Sequence, residues 1–142
     1  MILPDINLLI YAHDSGSRRH VSAKAWWENC LSGTETVGLP WAVSLGFIRL
    51  ITNPRIFERP LAVEAAIRRV RSWLERPQVQ ILQPGPRHAD LVFSLLIQLG
   101  TAASMTTDAH LAALALEHQA SLHTADTDFA RFPGLRWTNP LS

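Results

Sequence analysis

The chain opens on an apolar run, Met1–Pro4, that stops at Asp5 and reads as a short buried strand. Asn7–His13 is apolar again and predicts a short helix, with Ser15-Gly16-Ser17 as the loop behind it. Arg19–Leu31 predicts a helix with Val21, Ala25 and Trp26 on one face, ended by Ser32-Gly33. Glu35–Leu39 reads as a second strand, and Pro40 starts a helix over Trp41–Ile51 that stops before Pro54. The clearest helical period lies in Pro60–Arg76, where Val63, Ile67, Val70 and Leu74 share a face. On its polar side Glu64 can reach Arg68 and Arg71 can reach Glu75. Gln78–Leu82 predicts a third strand, Pro84-Gly85-Pro86 a turn, and Arg87–Leu99 a helix ended by Gly100. Thr107-Asp108 then caps a helix over Ala109–Gln119. Ser121–Thr124 is a fourth strand, and the Phe132-Pro133-Gly134 turn leads into a last one, Leu135–Thr138.

Strands alternating with helices imply a mostly parallel sheet with helices on both faces. Ligands of such sheets bind beyond the carboxyl ends of the strands. Asp5 follows the first strand, Asp126 and Asp128 follow the fourth, and Asp108 stands at a helix start. Four of the six aspartates therefore fall where this architecture places chemistry.

Composition narrows the class. At 142 residues, with no repeat or linker, the chain is expected to be a single domain over 1–142. Hydrophobic residues at 47% and charged residues at 18% suit a globular protein rather than a disordered one. A net charge of +1 identifies no polyanionic partner, although all but Lys24 of the 13 basic residues are arginines, suited to phosphate. The lone Cys30 excludes a disulfide framework and a thiolate zinc cluster. A reducing cytoplasm is the expected setting, with no signal peptide and no membrane-spanning stretch.

Cleavage of a phosphodiester builds negative charge on its oxygens, which divalent cations neutralise while activating water. Mg²⁺ and Mn²⁺ take oxygen ligands, so converging carboxylates suit them. Each aspartate also has an ordinary alternative. Asp5 and Asp108 can cap helices, and Asp126 and Asp128 flank Thr127 in a turn where aspartate is common. Asn7 is either a turn residue or an organiser of Asp5. The six histidines are scattered without ligand spacing, and His110 is expected to point away from the Asp108 face. Trp26-Trp27 and Trp41 are candidate partner-surface residues, the other tryptophans core.

Three segments in order carry a resemblance: Leu3-Pro4-Asp5-Ile6-Asn7-Leu8-Leu9-Ile10-Tyr11-Ala12, Thr106-Thr107-Asp108-Ala109-His110-Leu111-Ala112, and Thr124-Ala125-Asp126-Thr127-Asp128-Phe129. Together they resemble the VapC-type PIN-domain toxins, and Phe47-Ile48-Arg49-Leu50-Ile51-Thr52-Asn53-Pro54-Arg55-Ile56-Phe57 fits a subgroup of them. The resemblance implies a three-layer α/β/α PIN-like fold with a mostly parallel sheet of four to five strands. It implies a Mg²⁺- or Mn²⁺-dependent endoribonuclease acting on RNA, the toxin of a type II pair, with a VapB-type antitoxin partner and a homodimer. It assigns metal and catalytic roles to Asp5, Asp108 and Asp126, supported by Asp128, with Asn7 organising Asp5 and Thr107 flanking. Arg49, Arg55 and Arg131 are candidates for phosphate contact, with surface ion pairing as the alternative.

One departure stands out. Many relatives carry a glutamate where this chain has Gly46, and the nearest oxygen-bearing side chain is Ser44. One tightly held ion is therefore expected rather than two. The gap also supports a rival reading, a non-catalytic PIN-like module that binds RNA or protein. A haloacid dehalogenase-type phosphatase is disfavoured, because Asp5-Ile6-Asn7 lacks the second aspartate of its opening motif.

Overall fold

Five short strands form one parallel sheet in a computed structural model that describes residues 1–142: β1 (Ile2–Pro4), β2 (Val37–Leu39), β3 (Val79–Ile81), β4 (Ser121–His123) and β5 (Trp137–Thr138). Their spatial order is β3-β2-β1-β4-β5. Leu3 pairs with Leu122 across β1 and β4, and Val37 with Val79 across β2 and β3. β1 and β2 are buried on both faces, as their unbroken apolar runs require.

Six helices cover the sheet: α1 (Ile6–His13), α2 (His20–Ser32), α3 (Trp41–Ile51), α4 (Val63–Leu74), α5 (His88–Leu99) and α6 (Thr106–His118). Packing joins α1 to α2 and α3, and α3 to α4, while α5 packs on α6. Right-handed crossovers place these two groups on opposite faces, giving the three-layer α/β/α arrangement. The order of strands reverses between β1 and β4. That reversal opens a crevice at their carboxyl ends, the usual ligand position of an open α/β sheet.

The buried faces of two helices differ from the expected ones. α2 buries Ala23, Trp27 and Cys30, while Val21 is 79% exposed. α4 buries Ala66, Val70 and Trp73, leaving Val63 and Ile67 exposed on its flank. In both, the winning face carries a tryptophan: Trp27 and Trp73 meet edge to face at 5.4 Å, and Phe47 closes on Trp73 at 4.8 Å. Burying these large rings outweighs burying valine or isoleucine. Trp27 is thus core rather than partner surface, whereas Trp41 is exposed as expected. The anticipated Glu64–Arg68 and Arg71–Glu75 pairs do not form; the ion pair present is Lys24–Glu28 at 3.9 Å. Gly100 ends α5 as expected, in the left-handed conformation at φ 72°.

Candidate active site

The crevice between β1 and β4 is built around Asp5. Its backbone N–H continues the sheet by donating to the His123 carbonyl at 2.9 Å. Its side chain then turns inward, only 6% exposed. Oδ1 accepts from the Ile6 amide at 2.8 Å, so Asp5 does cap α1. Oδ2 accepts from the Thr124 hydroxyl, also at 2.8 Å. Capping and site membership are therefore not alternatives here, because each oxygen serves one of them. Burial pushes the Asp5 carboxyl above its ordinary value, the Thr124 and Ile6 bonds pull it back, and the charge of Asp126 adds to the push.

Thr124 was not anticipated as a site residue. It lies just past β4, is fully buried, and accepts from the Asp126 amide at 2.9 Å while donating to Asp5. The available signal was its place two residues after Leu122, at an inward-facing position that normally holds an apolar side chain.

Asp126 is half-buried and accepts from the Asp128 amide at 2.8 Å, which starts a 3₁₀ turn over Thr127–Arg131. Phe129, fully buried against Phe132, anchors that turn. Asp128 stays exposed at the rim.

Asp108 does not cap its helix. A 3₁₀ turn over Ala103–Met105 leads straight into α6, which begins at Thr106, so Asp108 lies inside the first turn. Its carboxylate accepts no hydrogen bond from the protein and is free to face the crevice. Its pKa is pushed up to about 6, first by burial and then by the charges of Asp5, Asp126 and Asp128. Asp108 therefore lies within electrostatic reach of the other three expected acids. A helix start favours a negative charge, so the neighbouring carboxylates and burial outweigh the helix dipole.

Other expected contributors lie elsewhere. Asn7 and Thr107 are exposed, and neither hydrogen-bonds an aspartate. Asn7 sits in the first turn of α1. Ser44 is buried in α3 without a hydrogen bond to any of the four acids. Arg49, Arg55 and Arg131 are exposed and unpaired, so surface pairing does not occupy them. The histidines are engaged away from the acids: His110 Nδ1 lies 2.9 Å from His88 Nε2, His13 bonds the Leu9 carbonyl, and His123 accepts from Trp26.

The donor set is all carboxylate, which fits a hard divalent cation. Such a cation would relieve the part of the Asp108 shift that the neighbouring carboxylates add to the larger effect of burial. No three of the acids already stand in a ligand-shell arrangement. The four aspartates line none of the molecule's pockets, one of which, about 330 Å³ and partly open to solvent, lies instead beside Ala115, Gln119 and Arg136.

Residues 2–135 match the family model of the PIN domain. The chain belongs to the PIN-domain family. Within that family it is 48% identical over 141 residues to ribonuclease VapC33 of Mycobacterium tuberculosis, spanning 99% of each chain. It is 44% identical to ribonuclease VapC37 of the same organism, over 99% of this chain and 97% of that one. This likeness over the whole length makes it a VapC-type PIN-domain protein. A chain of the VapBC2 structure from Rickettsia felis, bound to a promoter DNA fragment, shares the fold at TM-score 0.71 and 20% identity, with 98% of each chain covered.

A Cβ built on Gly46 would meet Ile6 Cδ1 at 2.5 Å. The side chain of Ile6, next to Asp5, thus packs directly over Gly46, the position at which the family resemblance leads one to expect a glutamate. Sequence reading identified the missing acid but not the apolar contact that takes its place.

Proposed function

We propose that this chain is the endoribonuclease toxin of a type II toxin–antitoxin pair and cuts RNA with a divalent cation, Mg²⁺ or Mn²⁺. The observation that carries the reading is the placement of Asp5 and Asp126 at the adjoining ends of β1 and β4, bridged by the buried Thr124 hydroxyl, with Asp108 pushed up to about 6 by burial first and by the charges of Asp5, Asp126 and Asp128 second. Its VapC relatives, named ribonucleases, support the reaction class. Asp5, Asp108 and Asp126 would hold the cation, with Asp128 in support. When bound, the ion supplies charge neutralisation at the phosphate and activation of the attacking water.

The chain's own residues supply the rest. Asp5 presents a carboxylate fixed by two hydrogen bonds, so its remaining lone pairs face the crevice at no further cost in ordering. Asp108 carries a proton part of the time near neutral pH and releases it when a counter-charge enters. Asp128, exposed at the rim, would accept a hydrogen bond from the attacking water. Arg131, at the end of the same 3₁₀ turn, is free to contact a phosphate of the RNA.

The partners of the reading are a VapB-type antitoxin and a second copy of the chain. Exposed apolar residues on α3 and α5, among them Trp41, Leu45, Phe93 and Ile97, support a protein that spends its time bound to others. No helix is long and apolar enough to cross a membrane, which is compatible with action in the cytoplasm.

The rival, a non-catalytic PIN-like module, draws on the packing of Ile6 over Gly46, which leaves α3 without an acid. Controlled expression in a bacterium separates the two. Growth arrest by wild type, none by Asp5→Asn at equal expression, and rescue by the antitoxin are the expected results. Equal toxicity of both proteins would contradict the proposed site.

A further inference from the structure

The hydroxyl of Thr124 stands between the two strand ends that carry the acids. It donates to Asp5 Oδ2 at 2.8 Å and lies 2.9 Å from the Asp126 amide nitrogen, and the side chain is fully buried. The direction of this chain of bonds is fixed by chemistry. An amide N–H can only donate, so Thr124 Oγ1 must accept from Asp126. Its single proton is then left to point at Asp5. An ionised carboxylate can only accept, so the three groups are satisfied together only in the order Asp126 N–H to Thr124 O–H to Asp5.

We infer that Thr124 is a positioning residue that holds the Asp5 carboxylate and the Asp126 turn in one register, and so sets how tightly the acids bind a divalent cation. The inference rests on the proposed role of the aspartates in holding that cation. Asp5 belongs to β1 and Asp126 follows β4, and no other side chain hydrogen-bonds both residues. Groups that orient the ligands of an ion without touching it typically change its affinity by about 10–100-fold when removed.

The test uses the full chain with Thr124→Val, which keeps the shape and removes the hydroxyl, and Thr124→Ser, which restores it. Two readouts apply. In the cation-free protein, amide hydrogen exchange at Asp126 reports the bond directly: protection is expected to drop in Thr124→Val and return in Thr124→Ser. In Mn²⁺ titrations, Thr124→Val should bind about 10–100-fold more weakly, and Thr124→Ser within about threefold of wild type by the same scale. RNA cleavage by Thr124→Val should recover at high Mn²⁺, a behaviour that simple loss of folding does not produce.

A folded Thr124→Val protein with wild-type Mn²⁺ affinity overturns the inference while leaving the catalytic reading in place. Wild type that binds no Mn²⁺ removes both. Should Thr124→Val not fold, Thr124→Ala takes its place, and failure of both to fold assigns the residue to the core alone and overturns the inference.

Discussion

Replacing Asp108 by asparagine should stabilise the cation-free protein at neutral pH while removing its activity. The carboxyl titrates at about 6 in the fold against an ordinary 3.8. Because the folded value is the higher one, the unfolded chain releases the proton first as pH rises. Stability is therefore lost between roughly pH 4 and 6 and stays low above that range. A shift of this size corresponds to about 3 kcal/mol undiscounted, and since Asp108 is only half-buried, solvent screening reduces it to about 1–2 kcal/mol. Asparagine forfeits roughly 0.5 kcal/mol of favourable charge at the start of α6. The net expectation is a gain of about 1 kcal/mol near pH 7.5, equivalent to roughly 3–5 °C in Tm for a chain of this length. Asp108 accepts no hydrogen bond from the protein, so its isosteric replacement leaves no partner stranded. The assay is urea unfolding of wild type and Asp108→Asn in EDTA from pH 4 to 8, taking the difference at each pH so that other titrating groups cancel. The difference should be small at pH 4 and grow to its full value by about pH 7. With saturating Mn²⁺ the order should reverse, because wild type gains the binding free energy. A difference that does not vary with pH, or a variant less stable than wild type in EDTA at pH 7.5, would refute the raised Asp108 pKa that burial and the neighbouring carboxylates produce.

Two further outcomes follow from the packing. Gly46→Ala should destabilise the wild-type background, where the new Cβ meets Ile6 Cδ1 and Cγ1, and stabilise an Ile6→Ala background, which lacks both atoms, by about 1 kcal/mol through helix propensity; equal effects in both backgrounds by chemical unfolding would show that Ile6 does not fill that space. The Cys30 thiol, buried and pushed up to about 11, should resist a thiol reagent at pH 7.5 until the chain is unfolded in urea, and rapid labelling of the native protein would contradict its burial in α2.

Much of the fold was legible because its signals are local. The apolar run ending at Asp5, the stop at Gly100 and the alternation of strands with helices all mark positions without reference to distant partners. The faces of α2 and α4 were not legible in the same way. Each offers two apolar sets at helical spacing, and the choice falls to whichever side lets Trp27 and Trp73 meet, which is a long-range event. The site divides along the same line. Asp5 and Asp126 followed from strand ends alone. Asp108 was indistinguishable from a helix cap until the 3₁₀ turn over Ala103–Met105 placed the helix start ahead of it. Thr124 remained hidden because a threonine at a strand end carries no signal until β1 and β4 are known to be neighbours. Asn7 is an exposed residue in the first turn of α1 that makes no hydrogen bond to Asp5, so nearness in sequence did not produce that contact.

The account stands or falls on whether the four acids cut RNA. The direct measurement is cleavage of RNA by the purified chain, with Mn²⁺ or with EDTA, compared with Asp5→Asn shown by circular dichroism to be folded. The account predicts cleavage by wild type with Mn²⁺, loss of at least about a hundredfold in Asp5→Asn, and none in EDTA. Cleavage that persists undiminished in Asp5→Asn or in EDTA would contradict it.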